Sequence, residues 1–370
     1  MKADRETIQI IILIVAATMA AIQLFYYLFF YVRLAFAKNK KLNKTQVPVS
    51  VIICAKNEAE NLKNYLPLIL EQDYPNFEVV VVNDGSYDDT EFILKYLEEK
   101  YKHLRHTNIK ENKFRKGKKL ALTIGVKSAK HEHLLLTDAD TYPSSKNWIK
   151  NIMSQYDDNT QIVLSYGAFE KENSFLNKLI RFDNFFNSMQ YLSFAKAGIP
   201  YMGTGRNLSY LKSLFVENRG FASHYGIASG DDDLFVNENA NKENTNVCLD
   251  TEAFTYSPAK KTFADWLFQK QRHLTTSPRY KLKHKFLLSL EPFSRILLLA
   301  SFIASIFYNC YTGMAIFGFV LLTKLIVLNF AQKTLKEKDL FLFSLLFDII
   351  LPVLYLILHI KKLIKQQEWK

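Results

Sequence analysis

The stretch VSVIIC at residues 49–54 is apolar and rich in β-branched side chains, a composition that predicts a buried strand. Residues 77–82, which read FEVVVV, predict a second strand of the same kind, and the HLLL of residues 133–136 predicts a third. Apolar residues at helical spacing follow the first two strands, and residues 118–128 predict a further helix. This alternation favours an α/β fold with a mostly parallel sheet and helices on both faces.

Polar clusters follow the three predicted strands, at residues 55–58, 83–86 and 138–140. Sheets of this kind bind ligands beyond the carboxyl ends of their strands. We therefore expect a functional site where these clusters meet. Within the first cluster, Asn57 stands three residues before Glu60, which is the spacing of a capping box and predicts that Asn57 caps the next helix.

The two ends of the chain are apolar. Residues 8–32 carry no charge, and this run exceeds the ~20 residues of a membrane-spanning helix. We therefore predict an N-terminal transmembrane helix within residues 1–36. The lysines that follow it predict that the next domain, residues 47–277, faces the cytoplasm, because positive loops stay on that side.

Residues 285–370 predict a C-terminal membrane region of two to three helices. A hairpin fits residues 296–332, where Lys324 is the only charge and residues 308–313 suggest a turn. A third apolar stretch, 340–360, contains Asp348 and Pro352, and a carboxylate at such a position normally faces the protein interior. Three spans would place the lysines that follow residue 360 outside the membrane, against the positive-inside rule. Residues 340–360 therefore lie in the membrane interface, or turn back at Pro352, or violate that rule.

The composition narrows the class of protein. The chain has 370 residues, 49% of them hydrophobic, which excludes intrinsic disorder. Its three cysteines cannot form a disulfide framework. The net charge of +12 lies largely beside the membrane segments and does not by itself indicate a nucleic-acid partner.

Three acidic features could carry chemistry. Asp138 and Asp140 could share a divalent cation with substrate phosphates, or form only an acidic turn. Asp84 could accept hydrogen bonds from a base or ribose, or belong to an ordinary turn. The crowded carboxylates of residues 231–233 would raise one another's pKa, which suits a general base, but they would also suit a helix N-terminus.

Two basic features accompany them. Residues 115–119, RKGKK, precede a helix and suit a pyrophosphate, although a solvated loop has the same composition. Gln269, Arg272 and His273 share one face of a predicted helix. Arg272 suits a phosphate, and the whole segment would equally suit anionic lipid headgroups beside a membrane.

The order of these features resembles the membrane-bound family 2 glycosyltransferases, the superfamily of cellulose, hyaluronan and ceramide-glucosyl synthases. The matching stretches, between residues 47 and 274, are VPVSVIICAKNEAENL, EVVVVNDGSYDDT, RKGKKLALTIG, LLLTDADTYP, GTGRNLSY, SGDDDLF and QKQRHL. The resemblance implies a GT-A fold and transfer of a sugar from a nucleotide donor, usually UDP-linked, with inversion at the anomeric carbon.

The resemblance also implies roles for single residues. Those matched to binding of the donor nucleotide are Ala55, Glu58, Asp84, Lys118, Asp138, Gln269 and Arg272. Asp138 and Asp140 match the pair that binds Mg²⁺ or Mn²⁺ together with the diphosphate. The catalytic base matches Asp231, or Asp232 if the alignment shifts by one residue.

Three departures from the pattern affect the expected activity. Thr123 replaces an asparagine, Gly230 replaces a glutamate, and His273 replaces the tryptophan of the polymer synthases. The last change favours transfer of one or a few sugars to a lipid acceptor in the cytoplasmic (inner) membrane. The alternatives are a synthase of a cell-surface polysaccharide acting on a glycan, a GT-A-like nucleotidyltransferase, and a non-catalytic scaffold.

Overall fold

The structure is a computed structural model that describes residues 2–38, 46–109, 118–227, 229–308 and 310–364. The chain divides into two compact units, Met1–Ala37 with Lys281–Lys370, and Lys38–Tyr280. The strands, in chain order, are β1 (Val49–Ala55), β2 (Phe77–Asn83), β3 (Leu104–Asn108), β4 (His133–Asp138), β5 (Tyr142–Pro143), β6 (Ile162–Ser165), β7 (Gly167–Phe169), β8 (Leu208–Leu211), β9 (Thr245–Cys248) and β10 (Thr255–Ser257).

The helices, in chain order, are α1 (Lys2–Phe25), α2 (Val32–Ala35), α3 (Ala59–Leu70), α4 (Thr90–Lys100), α5 (Lys119–Ser128), α6 (Trp148–Met153), α7 (Phe175–Lys196), α8 (Lys212–Glu217), α9 (Asp233–Asn239), α10 (Phe263–His273), α11 (Leu282–Phe307), α12 (Tyr311–Thr334) and α13 (Ser344–Ile364). A π-helical segment, Tyr26–Tyr31, joins α1 to α2.

The unit Lys38–Tyr280 is built on a seven-stranded sheet in the order β3-β2-β1-β4-β8-β6-β9. The first four strands are parallel, and β8 runs antiparallel to both of its neighbours. A smaller sheet has the order β5-β10-β7. The sheet is therefore mixed, and helices flank it, which confirms the α/β class predicted from the sequence. The parallel strands β2, β1 and β4 end side by side, because Ala55 pairs with Asn83 and Cys54 pairs with Asp138.

Helix α5 packs closely on this sheet because residue 125 is glycine. A Cβ atom added there would lie 2.6 Å from Cγ2 of Ile52 in β1 and 3.3 Å from Cγ2 of Val82 in β2. Any larger residue would push the helix outward. The helix begins at Lys119, so this close packing fixes where Lys118 stands beside the strand ends.

The cap predicted for α3 is wrong. The helix begins at Ala59, its N-cap residue is Glu58, and Asn57 adopts a left-handed φ of 57°. The side chain of Asn57 instead accepts a hydrogen bond from the backbone N–H of Tyr87, at 3.0 Å. The backbone N–H of Asn57 donates to Ser86 Oγ at 2.9 Å. Asn57 therefore joins the β1–α3 loop to the β2–α4 loop, a long-range contact that local spacing does not reveal.

In the described residues of the other unit, four helices are long and apolar enough to cross a membrane: Arg5–Ala35, Leu282–Phe307, Tyr311–Thr334 and Lys338–Leu358. The predicted turn between the second and third lies between α11 and α12. Helix α13 continues unbroken through Pro352. The alternative in which the chain returns at that proline is therefore wrong.

Among the described residues, a cluster of charged side chains lies between these helices. Asp348 of α13 is 8% exposed and pairs with Lys324 of α12 and, at 2.8 Å, with Arg295 of α11. Arg295 also pairs with Glu291 one turn before it, at 2.5 Å. Asp348 thus faces the protein interior, as expected of an intramembrane carboxylate.

Candidate active site

The carboxyl ends of β1 and β2 form one wall of the candidate site. The backbone N–H of Asp84 donates to the carbonyl of Ala55 at 2.8 Å, and Asp84 is buried. Glu58 follows β1 at the start of α3. Burial, with the charges of Asp140 and Asp138, raises the pKa of Glu58. The residues matched to nucleoside binding therefore lie beside the D-x-D pair.

Lys118 connects two parts of the site that are distant in sequence. Its Nζ lies 2.8 Å from Oδ1 of Asp138 and 3.0 Å from Oδ2 of Asp231. Burial alone would lower the pKa of Lys118, but these carboxylates raise it well above its ordinary value. The same contact outweighs burial at Asp138 and lowers the pKa of that carboxyl. One ammonium group thus neutralises charge from both the D-x-D pair and the acidic motif.

Among the described residues, no cation forms a salt bridge with Asp140. Burial and the charge of Asp138 raise its pKa, and its Oδ1 accepts a 3.3 Å hydrogen bond from the Thr141 hydroxyl. The two aspartates at this strand end therefore offer hard oxygen ligands with an excess of negative charge, which fits Mg²⁺ or Mn²⁺. Within the described ranges, no group of three or more His, Cys, Asp and Glu side chains could hold a metal. The pair suits an ion that also takes ligands from substrate phosphates.

The structure gives the three aspartates of the acidic motif different surroundings. Asp231 contacts Lys118, whereas Asp232 accepts hydrogen bonds from the backbone N–H of Gly205, at 2.8 Å, and of Asp233, at 2.7 Å. Burial, followed by the charges of Asp231 and Asp233, raises the pKa of Asp232 to about 7. The ionisation of Asp232 therefore falls near neutral pH.

The side chain of Asp233 is held by hydrogen bonds within the fold. Its buried carboxylate accepts hydrogen bonds from the hydroxyls of Thr276 and Tyr280, the latter at 2.7 Å. These contacts join the start of α9 to the segment that follows α10. Asp233 therefore holds the acidic motif in place and is not available as a base.

Gly230 explains one departure from the family pattern. Its φ is +98°, in the left-handed region that side chains rarely adopt, and an added Cβ would lie 2.6 Å from Leu234 Cδ1. A glutamate at this position would strain the backbone. The turn that presents Asp231 and Asp232 thus requires the glycine that stands there.

Helix α10 brings Arg272 to the same cleft. Arg272 is exposed, and its charge contributes to the lowered pKa of Asp138. The next residue, His273, is also exposed by surface area. Desolvation of its ring by the surrounding protein, followed by the charges of neighbouring cations, lowers its pKa, so the imidazole is neutral at pH 7. Gln269 is half-buried on this helix, and no contact in the described part of the chain joins it to the acidic side chains.

An ion pair anchors this helix. Lys270 pairs with Asp183 of α7, whose side chain is 2% exposed.

Of the predicted basic loop, residues 115–117 lie outside the described residues, and Lys118 and Lys119 lie within them. Lys119 is fully buried, and its Nζ donates to the carbonyls of His224, at 2.6 Å, and Ile227, at 2.9 Å.

Sequence reasoning missed Arg206 as a residue of this region, although it belongs to the motif GTGRNLSY. It placed Lys119 in a basic run that suits a pyrophosphate, whereas the buried Lys119 side chain donates to backbone carbonyls instead. Lys119 holds the loop that leads to the acidic motif, whereas Arg206 lies beside Asp138 and Asp140 and acts on the pKa of both. A cation inside a glycine-containing motif was the signal that could have identified Arg206.

Comparisons with known proteins give matches to part of the chain. The family model described as "Glycosyl transferase family 2" matches residues 50–217. An "Uncharacterized glycosyltransferase" of Haemophilus influenzae is 34% identical over 114 residues, which are 31% of this chain and 34% of that protein. A "Poly-beta-1,6-N-acetyl-D-glucosamine synthase" of Staphylococcus epidermidis is 33% identical over 93 residues, 25% of this chain and 22% of that protein. The chain thus spans about a third or less of these relatives.

A solved structure shares the fold over a longer range. The mannosyltransferase PcManGT from Pyrobaculum calidifontis, in complex with GDP-Man and Mn²⁺, matches 90% of this chain and 96% of its own, with a TM-score of 0.59 and 20% identity. At this identity the likeness shows the fold alone, and it confirms the GT-A class. Together with the fold, these findings lead to one conclusion: residues 50–217 match a family 2 glycosyltransferase domain.

Proposed function

We propose that the chain is an inverting glycosyltransferase that transfers a sugar from a nucleotide-sugar, in our preferred form a UDP-sugar, to a membrane-associated lipid acceptor. The observation that carries the proposal is the position of Lys118, whose Nζ contacts both Asp138 and Asp231. A donor diphosphate at Asp138 would therefore lie within one side chain's length of the acidic motif. An enzyme that joins a donor to an acceptor needs this juxtaposition.

The donor would lie across the carboxyl ends of β1, β2 and β4. We assign Ala55, Glu58 and Asp84 to the nucleoside, because they follow β1 and β2. Lys118 and Arg272 would face the diphosphate, since both act on Asp138. Gln269 keeps its assignment to the donor only through the resemblance.

Asp138 and Asp140 would hold Mg²⁺ or Mn²⁺ with the diphosphate, and the ion would neutralise charge on the leaving nucleotide. The chain's own base would be Asp232, with Asp231 as the second candidate. The base takes the proton of the acceptor hydroxyl while the hydroxyl oxygen bonds to the anomeric carbon. The bond from that carbon to the diphosphate oxygen breaks, and its electron pair leaves with the nucleotide.

The pH dependence of the reaction rate follows from the pKa of the catalytic base. Because the pKa of Asp232 is raised to about 7, the carboxylate needed for catalysis is lost as pH falls below that value. We expect the rate to rise with pH through this region. The Asp232→Asn variant should lose about 10²–10⁴-fold in kcat and also lose this rise.

Separate Asp231→Asn and Asp232→Asn variants distinguish the two candidates. Loss of the pH-dependent rise in only one variant assigns the base to that residue. Full activity in both variants would contradict a catalytic role for the acidic motif. Lys95→Gln, on the exposed face of α4, is the matched control for removal of one charge.

Substrates can be identified by incubating membranes that contain the chain with radiolabelled UDP- and GDP-sugars. Partition of the product between butanol and water then separates lipid-linked from polymeric product. We expect label in the butanol phase and release of the nucleoside diphosphate. Release of pyrophosphate would instead indicate a nucleotidyltransferase.

A polysaccharide synthase is the second candidate. The relative from Staphylococcus epidermidis is named as a polymer synthase, and this match favours a glycan acceptor. Label found only in high-molecular-weight aqueous material would support that activity over lipid glycosylation. The replacement of tryptophan by His273 argues for the lipid acceptor.

We also propose that Lys38–Tyr280 faces the cytoplasm of a bacterial-type inner membrane, where nucleotide-sugars are available. The support is the lysine-rich segment after the first apolar helix. Alkaline phosphatase inserted in this unit should be inactive, whereas green fluorescent protein should fluoresce. Active phosphatase would reverse the orientation.

A further inference from the structure

Arg206 occupies a fixed position between the D-x-D strand and the acidic motif. Its backbone carbonyl accepts hydrogen bonds from the hydroxyls of Thr137 and Thr255, both at 3.1 Å. The preceding residue, Gly205, donates its N–H to Asp232 Oδ2 at 2.8 Å. The backbone at residue 206 is thus tied to β4, to β10 and to the candidate base.

The guanidinium group of Arg206 is held by uncharged partners. Nη1 donates to the carbonyl of Ala168 at 3.1 Å, and Nη2 donates to Oδ1 of Asn184 at 2.7 Å. The group lies 4.1 Å from the ring centroid of Phe169. These contacts fix the orientation of the guanidinium plane without neutralising its charge.

Two other cations near the site are neutralised by direct contact. Lys118 pairs with Asp138 and Asp231, and Lys270 pairs with Asp183. In the described part of the unit Lys38–Tyr280, by contrast, no carboxylate forms a salt bridge with Arg206. A half-buried, oriented guanidinium with no anionic partner is suited to a ligand anion, because arginine binds phosphate through two parallel hydrogen bonds.

Arg206 lies next to the strand that ends in the D-x-D pair, because its carbonyl accepts a hydrogen bond from the hydroxyl of Thr137, the residue before Asp138, at 3.1 Å. An anion that reaches these aspartates through a divalent ion would therefore also approach Arg206. The side chain is held before the ligand arrives, so little rotamer entropy is lost on binding.

We infer that Arg206 is a substrate-binding residue whose guanidinium binds the diphosphate of the nucleotide-sugar donor beside Asp138 and Asp140. This inference rests on the proposed function, because it requires a nucleoside diphosphate at the D-x-D pair. It adds a cation to Lys118 and Arg272. It also gives the glycine-containing loop of residues 203–207 a role in holding the donor.

The test measures binding of UDP and GDP, with Mn²⁺ present, to the full chain in detergent micelles by titration calorimetry. Arg206→Gln should weaken binding of the preferred diphosphate about tenfold or more, the usual cost of one charge-assisted contact. Binding of the corresponding nucleoside, which has no phosphates, should stay the same. Arg206→Lys, which keeps the charge but loses the planar fork, should fall between the two.

The controls separate binding from folding. Lys95→Gln removes an exposed positive charge from α4 and should bind the diphosphate like the unchanged chain. Asn184→Ala removes one support of the guanidinium but keeps the charge, and should raise the donor KM less than Arg206→Gln does. If Arg206→Gln does not fold, Arg206→Lys at an unchanged melting temperature carries the test through the donor KM.

Two outcomes would overturn the inference. One is a folded Arg206→Gln variant that binds the diphosphate as tightly as the unchanged chain. The other is an equal loss of nucleoside and diphosphate affinity, which indicates a structural role. If the unchanged chain binds neither UDP nor GDP, the proposed function fails first, and the role of Arg206 fails with it.

Discussion

The chain contains two clusters of charged side chains, and they are balanced differently. Among the apolar helices, two carboxylates, Glu291 and Asp348, meet two cations, Arg295 and Lys324, in direct ion pairs. Among the described residues of the α/β unit, Lys118 is the one cation in a salt bridge with Asp138 and Asp231, and none contacts the nearby carboxylates of Asp140 and Asp232. Within the described residues, the direct ion pairs balance the charges of the first cluster and leave the second with an excess of negative charge.

The difference shows what each environment demands. A bilayer offers no water to solvate a charge, so a spanning helix can bury an ion only beside its counter-ion. A cleft that binds ligands can keep unbalanced carboxylates, because a cation or an acceptor proton completes the charge during function. The raised pKa values of Asp140 and Asp232 are the cost of that arrangement.

The largest effect on stability is expected in the membrane cluster. Asp348→Asn leaves Arg295 and Lys324 without their shared carboxylate, and we expect a loss of about 3–5 kcal/mol in unfolding free energy. Thermal unfolding in nanodiscs measures this loss. Asp348→Glu keeps the charge and should recover much of the stability. An unchanged melting temperature in Asp348→Asn would show that the cluster does not hold the helices together.

Removal of Lys118 from the site should have a smaller effect. Lys118→Met leaves Asp138 and Asp231 without a counter-charge, but the Lys118 side chain is 36% exposed and solvent screens part of the repulsion. We expect a loss of roughly 1–2 kcal/mol without metal, less than for the buried cluster. Added Mn²⁺ should raise the melting temperature more in this variant than in the unchanged chain. Equal responses to Mn²⁺ would contradict the assignment of the ion to Asp138 and Asp140.

Removal of a carboxylate from the site should stabilise the fold. The folded-state pKa of Asp140 is raised, so its contribution to stability is complete below the unfolded pKa and is lost as pH rises through the folded value. Asp140→Asn cannot ionise, and we expect a metal-free gain on the order of 0.2–1 kcal/mol at pH 8. The gain should vanish at low pH. A pH series of denaturant unfolding curves measures it, and a loss of stability at pH 8 would contradict the proposed repulsion.

The smallest effect is expected at an exposed ion pair. Lys95 and Glu91 lie one turn apart on α4 at 2.7 Å, with side chains 62% and 48% exposed. Lys95→Gln should change the unfolding free energy by less than about 0.5 kcal/mol. A change as large as that of Asp348→Asn would remove the distinction between buried and solvated charge.

Much of the fold could be predicted from the sequence because the relevant patterns are local. The strands β1, β2 and β4 are continuous apolar runs, and the transmembrane helices are longer still. Strand β3 was missed, because its residues, LRHTN, are polar and it lies at the edge of the sheet. The burial of α7, with Arg181 and Asp183 almost fully covered, was equally invisible in its composition.

The candidate site was predictable as a set of motifs but not as an arrangement. The spacing of Asp231, Asp232 and Asp233 gave three equivalent carboxylates. Their neighbours separate them, because Lys118, Gly205 and Tyr280 come from other parts of the chain. Arg206 could not be assigned from spacing for the same reason, since its partners Ala168 and Asn184 precede it by 38 and 22 residues.

The sequence by itself determined the α/β class, the apolar helices at both ends and the residue types available for chemistry, because periodicity and composition act over short distances. Only the tertiary structure decided that Lys118 joins Asp138 to Asp231, that Asp233 is structural, and that the four membrane charges neutralise one another. The reason is physical. The pKa and partner of a charged group depend on burial and on charges within a few ångströms, and folding brings those together from distant segments.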